Sequence, residues 1–351
     1  MSRSEAHAPS AELMEQMTGF YVSRAIYLAT DLGMIDQLAR EPGSGVAVAE
    51  KLGADPHAVT RLLRLLASAG ILVQQPDGQF ALSDKGQLLR SDVPDSLRDV
   101  VWVFAGPLTQ RLWADLEHGL RTGGPVFEHA YGVPAFGYFP QHPDEGMTFN
   151  RAMTYFASKI AGAVLDVYDF SGFGTVVDVG GGHGMLVRSI LRANPSVRGI
   201  VYDLPHVVAT VRDEVAASDL ADRCQVVGGD FFVEVPEGGD AYVLKSVIHD
   251  WDDERSLTIL RNVHRVMPAD GRLLIVEPVV SDQVTACSTD LMVTGSDLNM
   301  MLTVGGAERT ETEYRELLAR AGFRLTSISP LGGLSTGIHG VHSVIEGVKI
   351  V

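Results

Sequence analysis

The stretch Val176-Val177-Asp178-Val179-Gly180-Gly181-Gly182-His183-Gly184 decides the fold. A short apolar run ends in an acid, passes through four glycines in five residues, and opens into the amphipathic segment from Met185. Strand, glycine turn, helix is how an α/β nucleotide-type site begins. A dinucleotide fingerprint needs a glycine at its third position, yet counting from Gly180 that position is Met185, and from Gly182 it is Val187. The pyrophosphate reading therefore weakens. Asp178, just ahead of the loop, suits a ligand with a cationic end.

Working outward, short apolar runs alternate with amphipathic helices: Thr175–Val179, Gly199–Asp203, Cys224–Val227, Ala241–Lys245 and Arg272–Glu277, then Arg324–Ser329 and His342–Val348. This predicts an α/β domain with a mainly parallel seven-stranded sheet and helices on both faces. Ligands on such sheets bind at the carboxyl ends of the strands. The second run exits at Tyr202-Asp203-Leu204-Pro205, about 20 residues past the loop, where an acid accepts bonds from ribose hydroxyls; a helix cap is the alternative. The third exits at Gly228-Gly229-Asp230-Phe231-Phe232. Asp230 there fits an adenine amino group and Phe231 offers a flat face, unless Asp230 is only a turn residue.

The fourth run exits at Lys245-Ser246-Val247-Ile248-His249-Asp250-Trp251-Asp252-Asp253-Glu254. A histidine there, with an ordinary pKa near 6.5, is a candidate proton acceptor. Asp252 or Asp253 caps a helix starting at Glu254, and Trp251 packs on a base or fills core. Glu277, ending the fifth run, and Glu308, in Gly305-Gly306-Ala307-Glu308-Arg309-Thr310, are both candidates to orient the His249 ring. An exposed acid at Glu277 and a helix-start acid at Glu308 are the plain alternatives.

The first third reads differently. Phe20, Ile26, Leu28, Leu32, Ile35 and Leu38 recur near helical spacing. A helix over Val48–Leu52, a turn at Ala54-Asp55-Pro56, a second helix over His57–Gly70 and a hairpin around Pro76-Asp77-Gly78 form a winged-helix pattern. DNA binding would follow from that pattern alone, but 44 acidic against 28 basic side chains give a formal charge of −16, a field that repels polyanions. A structural or dimerisation role fits better. The boundaries expected are 1–105 for this domain, 106–165 for an aromatic- and methionine-rich helical segment lining a pocket, and 166–351 for the sheet domain. Cys224 and Cys287 lack metal-type spacing and fit a reducing cytoplasm. Met1–Ser10 is polar with no apolar signal core, and no apolar run reaches the length needed to span a bilayer.

Together the five motifs, in order, resemble the bacterial members of the plant-type small-molecule O-methyltransferases, which include caffeic acid and phenazine methyltransferases. The resemblance covers nearly the whole chain. It implies a class I methyltransferase Rossmann-like domain behind a mostly helical, winged-helix-like dimerisation domain. The cofactor would be S-adenosylmethionine, held by Asp178, Gly180, Gly182, Asp203, Leu204, Gly229, Asp230, Phe231, Lys245 and Trp251. His249 would be the general base, flanked by Glu277 and Glu308, with no metal. Trp102, Phe149, Met153, Phe156, Asp250, Asn299 and Met300 would contact a small aromatic acceptor hydroxyl. A homodimer through interlocked N-terminal helices is implied, with neither nucleic acid nor membrane as partner. The segment Asp297–Val304 departs from the plant pattern, so plant substrates do not transfer. The rival readings are non-methylating chemistry on a polyketide by a cofactor-bound relative, and a winged-helix regulator.

Overall fold

The computed structural model describes residues 8–332 and 338–350; of the polar stretch Met1–Ser10, residues 1–7 lie outside it. The chain forms two compact units: Met1–Ala114 with His142–Met153, and Asp115–Gln141 with Thr154–Val351.

In the first unit, Ser44 caps the helix Gly45–Leu52 and Asp55 caps Pro56–Ser68, where Pro56 takes the first turn. The strands β1 (Leu72–Gln74) and β2 (Phe80–Leu82) then pair antiparallel. Val59, Leu63 and Leu66 point inward from the second helix to meet Ala29, Ile35, Leu38 and Phe80, while Arg61 and Arg64 stay exposed. The expected winged-helix order is present. The helix Pro9–Asp31 precedes it and leaves Leu13, Met14, Met17, Phe20 and Tyr21 each more than half exposed.

The second unit holds the sheet: β3 (Thr175–Val179), β4 (Arg198–Asp203), β5 (Cys224–Gly228), β6 (Ala241–Lys245), β7 (Arg272–Val280), β8 (Arg309–Thr310), β9 (Phe323–Pro330) and β10 (His342–Lys349). The order is β5-β4-β3-β6-β7-β10-β9, with two-residue β8 beside the end of β7. β3 to β7 are parallel; β10 runs antiparallel to β7 and β9. Apolar side chains cover both faces, which is why these strands read as unbroken apolar runs. Val177, Val179, Tyr242, Leu244 and Ile275 pack on one face against Leu257, Leu260 and Leu317. Val176, Val201, Val243 and Val276 pack on the other against Leu186, Ile190 and Val208. Each fully buried side chain of this kind contributes about 1.5–3 kcal/mol. From β3 the chain winds outward to β5, then returns to β6 on the other side, so the strand order reverses beside β3 and opens a crevice there.

One expectation is corrected here. β7 runs three residues past Glu277, so Glu277 lies inside the strand and fully buried. Lys245, the last residue of β6, pairs with Val276. Glu277 is thus interior to its own strand yet level with the exit of its neighbour.

Among the described residues no helix is long and apolar enough to cross a membrane.

Candidate active site

Three strand exits meet at the glycine loop. Gly180 has a left-handed φ of +70°. A Cβ there would stand 2.8 Å from a Val247 methyl and 3.4 Å from the Phe231 ring. Only glycine fits both demands, and the contact draws the ends of β3, β5 and β6 together. Gly182 N–H donates to Asp203 Oδ2 at 2.8 Å, and Leu204 N–H to Asp203 Oδ1 at 2.7 Å. The helix Pro205–Ala216 has Leu204 at its N-cap without a side-chain bond, so Asp203 closes the glycine loop rather than capping the helix. Gly229 packs so closely on Tyr202 that a Cβ would overlap its ring. Asp230 Oδ1 accepts from Phe232 N–H at 2.8 Å, and the Phe231 carbonyl is fixed by Asn262. Trp251 stands edge-on to Phe231 and Phe232, at 6.3 and 4.8 Å between centroids, with the Arg255 guanidinium 5.1 Å from it.

Behind the loop, Asp178 is buried, and its Oδ1 has no hydrogen-bond partner among the described residues. Burial pushes its carboxyl up to about 6 against the pull of Lys245. Burial likewise lowers Lys245, opposed by Asp178, Glu277 and Asp250.

His249 sits in a 3₁₀ turn, Ile248–Asp250, entered through Ser246 at a left-handed φ of +53°. A non-glycine residue there costs about 1–2 kcal/mol and needs enforcement from its surroundings. Glu277 supplies it: Oε1 accepts from the backbone N–H of Val247 (2.9 Å), Ile248 (2.6 Å) and His249 (3.2 Å), while Oε2 accepts from Tyr314 Oη–H at 2.6 Å. Burial and Glu277 push the Tyr314 phenol well above its ordinary range. From the other side, Ala307 N–H donates to the His249 carbonyl at 2.9 Å. The buried Arg309 reaches the carbonyls of Ile248 and Trp251 and the Asp253 carboxylate. A Cβ on Gly306 would overlap the His249 carbonyl oxygen.

The ring belongs to the other glutamate. His249 Nδ1 lies 3.1 Å from Glu308 Oε1, and Nε2 is 3.7 Å from Asp250 Oδ1. Glu308 precedes β8 and starts no helix; Thr310 caps the helix Glu311–Arg320 in a capping box with Glu313. Burial disfavours a charged imidazole, but Glu308, then Glu277 and Asp250, outweigh it and push His249 up to about 10. Burial raises Asp250 to about 6, against the pull of His249. The helix cap is Asp252, so the helix begins at Asp253, one residue before the expected start.

Asn299 and Met300 lie half-buried on the helix Ser288–Thr303. Phe156, on the helix Pro143–Val167, packs against the core around Ile160. Trp102, Phe149 and Met153 belong to the first unit, where Trp102 lines a cavity of about 270 Å³ with Tyr27, Asp31, Arg98 and Arg151. Sequence reasoning missed Tyr314, Arg309 and Val247. Arg309 adjoins a motif already in view, and only a question about what holds that motif would have found it.

Residues 113–324 match the model of the O-methyltransferase domain, and residues 14–92 that of the O-methyltransferase dimerisation domain. The chain belongs to the O-methyltransferase family. It is 41% identical over 335 residues to a phenazine O-methyltransferase of Lysobacter antibioticus, covering 95% of this chain and 97% of that one. It is 40% identical over 323 residues to a 3-amino-4-hydroxybenzoate 4-O-methyltransferase of Streptomyces cremeus, covering 91% and 86%. The SAH-bound form of a methyltransferase in calicheamicin biosynthesis superposes with a TM-score of 0.82 at 34% identity, covering 99% of each chain. This O-methyltransferase takes its methyl group from S-adenosylmethionine. The residues present fit that donor. A partnerless buried carboxylate oxygen on Asp178 and an excess of acids around Lys245 and His249 favour a cationic ligand. The glycine loop gives it close backbone approach.

Proposed function

We propose that this O-methyltransferase methylates an aryl hydroxyl of a small aromatic secondary metabolite, with His249 as general base. The observation that carries the reading is the His249–Glu308 contact of 3.1 Å. In the neutral ring it holds the proton on Nδ1 and leaves Nε2 as the acceptor. S-adenosylmethionine, when bound, supplies a methyl carbon made electrophilic by its sulfonium. We assign Gly180, Gly182, Leu204 and Gly229 to its backbone approach, Asp203 to ribose hydroxyls, and Asp230, Phe231 and Trp251 to adenine. Lys245 and Asp178 take its charged end.

His249 Nε2 takes the proton of the acceptor hydroxyl, and Glu308 stabilises the resulting imidazolium. Glu277 holds the backbone of the turn, so the ring presents Nε2 at a fixed place. Its role differs from that of an acid on the ring. Glu308, Glu277 and Asp250 raise the basicity of the ring, so Nε2 accepts the proton in the fraction of the enzyme whose ring is neutral, a fraction that grows with pH; base catalysis of this kind contributes about 10²–10⁴-fold. Asp250, Asn299, Met300 and Phe156 are assigned to the acceptor. The relatives that act on a phenazine and on an aminohydroxybenzoate support an aromatic acceptor. The dimerisation match and the exposed apolar face of Pro9–Asp31 support a homodimer through that helix. The free thiols Cys224 and Cys287 support a cytoplasmic setting.

The test is transfer from radiolabelled S-adenosylmethionine to a panel of aminophenols and hydroxyphenazines. His249→Ala should lose at least 10²-fold in rate with cofactor affinity unchanged. Full activity in that variant would refute the assignment. Cofactor binding without transfer to any acceptor in the parent chain would favour non-methylating chemistry.

A further inference from the structure

Glu308 is held from the helix Ser288–Thr303, which also carries Asn299 and Met300. Ser296 Oγ–H donates to Glu308 Oε1 at 2.8 Å, the same oxygen that faces His249 Nδ1 at 3.1 Å. Asp297 Oδ1 accepts from Glu308 N–H at 3.0 Å. Glu308 Oε2 is buried with no hydrogen-bond partner among the described residues. Both side-chain donors therefore converge on one oxygen of a carboxylate whose side chain is fully buried. Every bit of negative charge drawn to the serine hydroxyl is withdrawn from the imidazole, since hydrogen bonds to an ionised group are strong and share its charge.

The same helix face continues toward the acceptor. Residues three and four apart share a face, so Ser296 lines up with Asn299 and Met300 on the helix Ser288–Thr303. We propose that Ser296 is a positioning residue that moderates the grip of Glu308 on the His249 ring, and so couples the helix assigned to the acceptor to the proton-accepting nitrogen. This rests on the reading of His249 as the base. The other ionisable groups around the pair are Asp250 on the same turn, Glu277 on β7, Lys245 on β6, Asp297 on the serine's own helix, Tyr314 on Glu311–Arg320, and Arg309 on β8. None of them donates to Glu308 Oε1.

Removing the hydroxyl leaves Oε1 to His249 alone, so the imidazolium is held more tightly. Ser296→Ala should move the His249 titration upward by about half to one pH unit, and kcat/KM near pH 7 should fall about three- to tenfold. That deficit should narrow as pH rises through the titration toward 10.5. Ser296→Thr, which keeps a hydroxyl, should restore the parent profile. The titration is read without turnover from ¹³C-histidine NMR, with the resonance assigned by its loss in His249→Ala. The transfer profile is read from pH 6 to 10.5. A profile that superposes on the parent, a uniform loss at every pH, or no rescue by threonine overturns the inference. If Ser296→Ala does not fold, Ser296→Cys, similar in volume and a weak donor, must shift the titration the same way. Undiminished transfer in His249→Ala sinks the base assignment. Loss in His249→Ala with no shift in Ser296→Ala sinks only the serine's role.

Discussion

Glu308→Gln keeps the volume of the side chain and an oxygen to accept from Nδ1, and removes only the charge. The parent ring is raised from 6.5 to about 10. At about 1.4 kcal/mol per pH unit, that is on the order of 5 kcal/mol favouring the charged ring. Burial works the other way, and Glu308 is the strongest of the groups that raise the ring. Losing its charge should lower the titration by at least about two units, or about 3 kcal/mol, in line with the cost of breaking a buried pair. The sign follows from linkage. A pKa raised on folding contributes stability that is complete below the unfolded value near 6.5 and fades as pH climbs through about 10. The melting gap between parent and variant should therefore be widest near pH 6 and close toward pH 10. Thermal melts at pH 6, 8 and 10, with a histidine NMR titration, measure both quantities. A ring that still titrates near 10 in the variant, or a gap that does not change with pH, would refute the pairing.

Gly180→Ala should lower cofactor affinity at least tenfold and melt several degrees earlier, because the new methyl meets Val247 at 2.8 Å in a left-handed backbone; isothermal titration with SAH and a melt check it. Tyr314→Phe strips the donor from a fully buried Glu277 oxygen and should cost about 1–3 kcal/mol. Its kcat should fall more than its cofactor affinity, as denaturant unfolding and steady-state kinetics will show. Phe20→Asp places a charge in the exposed apolar stripe of Pro9–Asp31 and should shift the chain from dimer to monomer in sedimentation velocity.

The sheet was legible because its strands are buried on both faces, which turns each into an apolar run with a sharp exit. The places of the glycine loop, Asp203 and Asp230 at strand exits could be read for the same reason. The two glutamates could not be told apart. Their difference is one of register: β7 overshoots β6, so Glu277 reaches the backbone of the turn. Glu308 reaches the ring from a loop 59 residues further on. Local pattern carries no information about either. Tyr314 looks like any core aromatic on an amphipathic helix, and only its hydroxyl, aimed at Glu277, sets it apart. Ser296 was hidden because a serine inside a helix carries no signal of its own until its partner is known.

The central claim is that His249 Nε2 faces the methyl being donated, with room for one hydroxyl between them. A crystal structure of the chain with SAH measures this directly. The thioether sulfur should lie about 6 to 8 Å from Nε2, the span of one hydrogen bond, one attack distance and one bond, on the open side of the ring opposite Glu308. A sulfur beyond about 10 Å, or an Nε2 sealed off by side chains, would contradict it.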